Sequence, residues 1–214
     1  MNMNKRFLGL CLAALLPLAL GASINKNIRI EKGTHVEKDL SSVNGNITLE
    51  DEVVVGGECS TVNGSITLGR KCRVTSLSTV NGSLDLGPEA RIEEGVETVN
   101  GRITAAKGSQ IAQDVETVNG DIQAEGTEFG RNLEILNGVV SLSNCAVKGN
   151  ISLGNGKVHL SEKTTVQGDL LLGLEKSHSS KVVTNVLKLT QGATIRGTVV
   201  NVSPKTHHLV IWHD

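Results

Sequence analysis

Val96-Glu97-Thr98-Val99-Asn100-Gly101-Arg102-Ile103-Thr104-Ala105 is followed nineteen residues later by Val115-Glu116-Thr117-Val118-Asn119-Gly120-Asp121-Ile122-Gln123-Ala124. The match extends in both directions. Val-Asn-Gly recurs at Asn44, Asn63, Asn81, Asn100 and Asn119, and as Leu-Asn-Gly at Asn137, with spacings of 19, 18, 19, 19 and 18. A fixed period of this size is the mark of a stacked repeat in which each unit buries its apolar face against the next. A chain built from one repeated unit has little sequence left for a unique catalytic constellation.

Aligned on the period, the chain divides into about nine coils of 18–19 residues, beginning at Ile30, Leu49, Leu68, Leu86, Ala105, Ala124, Leu142, Leu160 and Leu189. Apolar residues two apart, such as Val53 and Val55 or Ile66 and Leu68, give the period-2 signature of short strands. Gly-, Asn- and charge-rich corners separate them. No stretch of the mature chain keeps a 3.6-residue apolar period. The expected fold is all-β: a single-stranded parallel β-helix (β-solenoid) with three-sided coils, right-handed by the usual preference of parallel crossovers.

Three inward columns follow. One runs Val36, Val55, Val74, Ile92, Ile111, Phe129, Val147, Val166, Ile195, and a second Leu40, Cys59, Leu77, Val96, Val115, Leu133, Ile151, Leu170, Val199. The third, of small residues, holds Thr34, Val53, Cys72, Ala90, Ser109, Ala146, Thr164 and Ala193. The Asn-Gly corners are read as a structural turn ladder, since Gly accepts positive φ freely and Asn tolerates it. Stacked Asn side chains can also pass amide hydrogen bonds along the stack. The residue before each Val (Ser42, Thr61, Thr79, Thr98, Thr117) is read as an outward ladder that could meet a partner.

Residues 1–22 have the form of a secretory signal peptide: Lys5 and Arg6, an apolar run from Phe7 to Leu20, then Gly21-Ala22-Ser23. The run is too short to span a bilayer. The expected localisation is therefore exported, periplasmic or extracellular, with the chain not membrane-spanning. The solenoid domain occupies 23–214, with coils over 30–202, an inserted polar loop at 173–182 and a C-terminal cap at 203–214. Its tail, His207-His208-Leu209-Val210-Ile211-Trp212-His213, reads as a last strand with Trp212 covering the open end of the core.

Loss of the leader takes the basic residues from 21 to 19 against 22 acidic ones, a net charge of −3. Only Phe129 and Trp212 remain as aromatics. Neither a basic footprint nor stacking surfaces are present for nucleic acid. Cys59, Cys72 and Cys145 are read as small buried residues with no assured disulfide partner. The six histidines are scattered, so no metal site or cofactor is expected. Glu97 and Glu116, one coil apart, have the pairing that glycoside hydrolysis would need, but are read as a solvated stripe.

Thr61 to Ile66 and Thr98 to Ile103 resemble the Val-Asn-Gly-x-Ile coils of the bacterial putative-adhesin domain of unknown function. Val147 to Leu153 and Ile195 to Val199 look like the coils of bactofilins, polymer-forming cytoskeletal proteins. The resemblances cover about Ile30 to Val202 and imply a solenoid without supplying catalytic residues. The expectation is an exported structural or adhesin-like protein, not an enzyme. Its partner would be a surface, protein or glycan, with end-to-end self-association also open. The alternatives are a carbohydrate-binding or polysaccharide-degrading β-helix and, as minor readings, a polymer-forming scaffold or an ice-binding solenoid.

Overall fold

The computed structural model describes residues 25–173, 183–201 and 207–213. Residues 1–22, read above as a signal peptide, and nearly all of the inserted loop, 174–182, lie outside the described residues. Every regular element described is a β-strand, and every strand pairing is parallel. The chain is a β-solenoid, as the nineteen-residue period requires.

Each coil has three sides. In the central coils the first is a strand such as Ile103–Ala105, the second a two-residue strand such as Gln110–Ile111, and the third Val115–Asn119. Each pairs with its equivalent one coil away: Ile103 with Leu84 and Ile122, Ile111 with Ile92 and Phe129, Val115 with Val96 and Leu133. The residues form strands rather than helices because Val, Ile and Thr lose side-chain freedom in a helix and fit a pleated surface. In Leu133–Ser143 and Ile151–Ser161 one strand runs through the corner and joins the third side to the next first side. The strands stack into about eight turns, slightly fewer than the nine coils expected, and at about 4.8 Å per level they make a rod on the order of 40 Å long.

The core is one continuous cluster along the axis. The first two inward columns fall where the period places them: Val55 to Val166 and Cys59 to Leu170 are buried, while the end members Val36, Leu40 and Ile195 are only partly so and Val199, opposite Leu170 at the end of the stack, is exposed. The third column needs a correction. Thr127 and Cys145 complete it, not Ala146, because Ala146 pairs with Glu128 and Thr165 on the outward face. Cys145 therefore shares a column with Cys72.

After Leu160 the next equivalent residue is Leu189, a step of 29 instead of 18 or 19, and the third side shows the same step from Leu170 to Val199. The register on both sides of the insertion is unbroken, so the stack continues past it without a shift. The tail strand His207–His213 adds a further level on the first side, paired with Val183–Leu189. Its role as a lid is not what was expected. Trp212 pairs with Lys188 on the outward column and is 61% exposed. Ile211, opposite the buried Leu187, takes the inward position instead.

Candidate functional site

The Val-Asn-Gly corner is the most regular feature of the rod. The side-chain Nδ2 of Asn44 donates to Oδ1 of Asn25 at 2.7 Å, and Asn63 donates to Asn44 at 2.8 Å. The same bond links Asn81, Asn100, Asn119, Asn137 and Asn155 in turn, at 2.8–3.0 Å. The ladder thus extends one coil beyond the sequence motif at each end. Asn25 precedes Lys26 and Asn155 follows Gly154, so neither sits in a Val-Asn-Gly triplet.

The reason for glycine in this corner differs from the one expected. Of the corner glycines only Gly138 and Gly156 have positive φ, and of the ladder asparagines only Asn25, at the start of the stack, does. What demands glycine is close approach. A Cβ on Gly64, Gly82, Gly101 or Gly120 would collide with the backbone carbonyl of the glycine one coil before. The left-handed position lies in a different corner, stacked at Glu52, Lys71, Glu89, Gly108, Gly126 and Asn144. Gly108, Gly126 and Asn144 were the signal for it in the sequence, masked by the charged residues that hold the same place in other coils.

The proposed outward ladder is inward. Ser42, Thr61, Thr79, Thr98 and Thr117 are all buried, none more than 2% exposed. They stand two residues after Leu40, Cys59, Leu77, Val96 and Val115, and a two-residue period puts both sets on one face. The half-buried Val43, Val62, Val80, Val99 and Val118 take the outward positions instead. An ice-matching Thr face therefore has no basis here. The hydroxyls work internally: Thr61 Oγ1 donates to the carbonyl of Gly45 at 2.9 Å, and Thr79 Oγ1 to that of Gly64 at 3.1 Å. Thr98 and Thr117 Oγ1 are buried without a hydrogen-bond partner. Replacing Thr61 by Val should cost about 1 kcal/mol, since it leaves the Gly45 carbonyl without its donor. Thr98→Val should gain up to about 1 kcal/mol by removing an unpaired hydroxyl. Urea unfolding of the two variants would refute this assignment if both shifted in the same direction.

On the third side, the outward column reads Ser60, Ser78, Glu97, Glu116 and Glu134. It is no solvated stripe. Ser60, Ser78 and Glu134 are buried, and Glu97 and Glu116 are half-buried. Glu58, Ser78, Glu94 and Glu97 border a shallow groove of about 190 Å³. Ser78 Oγ donates to Glu58 Oε1 at 2.5 Å. Burial raises the carboxyl pKa of Glu97 above its ordinary 4.5, and the nearby charge of Glu58 raises it further. A raised folded-state pKa means a cost that is absent in acid and grows as pH rises through the ordinary value. Glu97→Gln is therefore expected to raise the melting temperature at pH 7, with the gain vanishing below about pH 4. Thermal unfolding at the two pH values checks it, and equal shifts at both would rule out the titration as the cause.

A second, shorter ladder escaped sequence reading. Between the second and third sides, Oδ1 of Asp114 accepts the backbone N–H of Asn132 at 3.1 Å. Asn132 likewise receives Asn150, Asn150 receives Asp169, and Asp169 receives Thr198. The two bonds from Thr198, backbone and hydroxyl, hold the Asp169 pKa below its ordinary value. The recurring Gly-Asn and Gly-Asp at 149–150 and 168–169 carried this signal.

The three described cysteines are free thiols, and burial pushes Cys59 up to about 12. Among the described residues no cluster of His, Cys, Asp and Glu has the arrangement of a metal site, and no helix is long and apolar enough to cross a membrane. No protein-family model, curated protein or solved structure matches the chain.

Proposed function

We propose that this protein is an exported, non-catalytic rod that works as a structural or adhesin-like surface-interaction element. The observation that carries the reading is the division of labour between inside and outside. The repeated apolar, Thr and Asn positions are consumed in holding coil to coil, while the outward columns vary from coil to coil. A constant interior under a variable exterior is the pattern of a scaffold that displays side chains at a spacing of about 4.8 Å. The resemblance to putative-adhesin coils and the leader-like residues 1–22 point the same way.

Two measurements test it. Fusion of residues 1–30 to alkaline phosphatase, which is active only after export, should give active enzyme; an inactive fusion would remove the exported half of the reading. Beads coated with the mature chain should be retained on cell surfaces under flow. Retention no greater than that of uncoated beads would remove the adhesive half.

A second reading, end-to-end association, is favoured by one specific observation. The C-terminal end of the rod exposes Val199, Val200, Val210, Ile211 and Trp212. The tail strand there pairs on one side with Val183–Leu189, and an edge with apolar neighbours is a template for another strand. Sedimentation should show concentration-dependent growth that Ile211→Glu abolishes. A strict monomer at millimolar concentration would overturn this second reading.

A further inference from the structure

The second side carries a feature that the stacking does not explain. Arg73 and Arg91 are directly opposite each other in parallel register, and both are exposed. Like charges one strand apart repel and destabilise a sheet. Other cations stacked along the rod have carboxylate partners one coil away, among them Arg29 with Glu50, Arg70 with Glu89, Arg102 with Asp121 and Lys148 with Glu128. Among the described residues neither Arg73 nor Arg91 has such a partner. The two arginines line a groove of about 420 Å³ that runs across five coils to Lys148. The exposed Ala112 and the half-buried Gly130 lie along it, and Gln110, Glu93 and Glu128 line it.

We propose that this groove binds an acidic sugar, with the sugar carboxylate held by the Arg73–Arg91 pair. A guanidinium presents a planar fork that matches a carboxylate in two parallel hydrogen bonds. Two such forks about one strand spacing apart, about 4.8 Å, can share one carboxylate and cancel their own repulsion. The C–H face of the ring lies on Ala112 and its neighbours. Ring hydroxyls donate to the carboxylates of Glu93 and Glu128 and exchange hydrogen bonds with Gln110. A sugar ring brings several hydroxyl protons to these acceptors, more than a phosphate carries near neutral pH, and that favours the acidic sugar. The inference rests on the surface-interaction reading and names the class of ligand for one face of the rod.

Calorimetric titration of the purified protein with trigalacturonate, its methyl ester and inorganic phosphate tests the assignment. Saturable binding of trigalacturonate is expected, with the neutral ester failing to bind. The double variant R73Q/R91Q should weaken binding by at least about tenfold. It should melt at or above the wild-type temperature, because a repulsion has been removed. If it does not fold, Arg91→Lys, which keeps the charge and loses the fork, should weaken binding on its own. No saturable binding, binding unaltered by both variants, or displacement by phosphate at equal concentration would each overturn the proposal. Bead retention that survives in R73Q/R91Q, without trigalacturonate binding to the wild type, overturns the groove alone and leaves the adhesive reading standing.

Discussion

Gly101→Ala is expected to lower stability by about 3 kcal/mol, at the upper end of the cost of overpacking a tight site. In a chain of this size that is a fall of roughly 6–12 °C in melting temperature. The new methyl would collide with the carbonyl of Gly82. Local relief is blocked, because Gly82 stands in the same relation to Gly64, and Gly120 to Gly101. Moving the corner away would break the amide bonds that Asn100 makes with Asn81 at 2.9 Å and with Asn119 at 3.0 Å. The glycine has no positive φ, so the loss would measure close approach and not backbone strain. Gly56→Ala is the control: its Cβ would meet nothing closer than 3.5 Å, and its effect should stay within about 0.5 kcal/mol. Far-UV circular dichroism melts of both variants decide the matter. A Gly101→Ala melt within a degree of wild type would show that the coils can part at this corner and that the ladder does not set their separation.

Phe129→Ala should cost still more, about 3–5 kcal/mol, the range for emptying a fully buried aromatic site. Phe129 has no exposed surface and heads the largest fully buried side chains. Its column neighbours are Ile111 before it and Val147 after it. Both are smaller and pinned by parallel pairing, so neither can move in to fill the space. Phe129→Ile should lose far less, because most of the volume is kept. Equal melting temperatures for the Ala and Ile variants would show that the cavity collapses. In a stack where each coil touches only its neighbours, the damage should also be local. Hydrogen exchange should lose protection first around residues 111–147, while strands near Ile47 and Ile66 keep theirs.

The solenoid itself was legible from very little. Val96 to Ala105 repeated at Val115 to Ala124 establishes the period, and alternation within it establishes strands. The two large inward columns follow, because a register error of one residue would turn every side chain to the wrong face. The same rule applies to Thr98, yet its type argued the other way. A hydroxyl residue beside a corner looks like surface, and only the parity count from Val96 puts it inside. Glu97 and Glu134 show the converse: charged residues on an outward column that are nevertheless half-buried and buried, respectively.

The sequence by itself determined the period, the strand content, the order of the three sides and which large apolar residues line the core, because each depends on spacing along one chain. Tertiary structure decided what depends on the distance between coils. It made the Asn-Gly corner a matter of contact between successive glycines, turned the Thr column inward with Thr61 and Thr79 as internal hydrogen-bond donors, set Trp212 on the outside of the tail and brought Arg73 against Arg91. A repeat names the position that each residue takes in its own coil. What that residue touches one strand spacing away, in the coil before and the coil after, is fixed only when the coils are stacked.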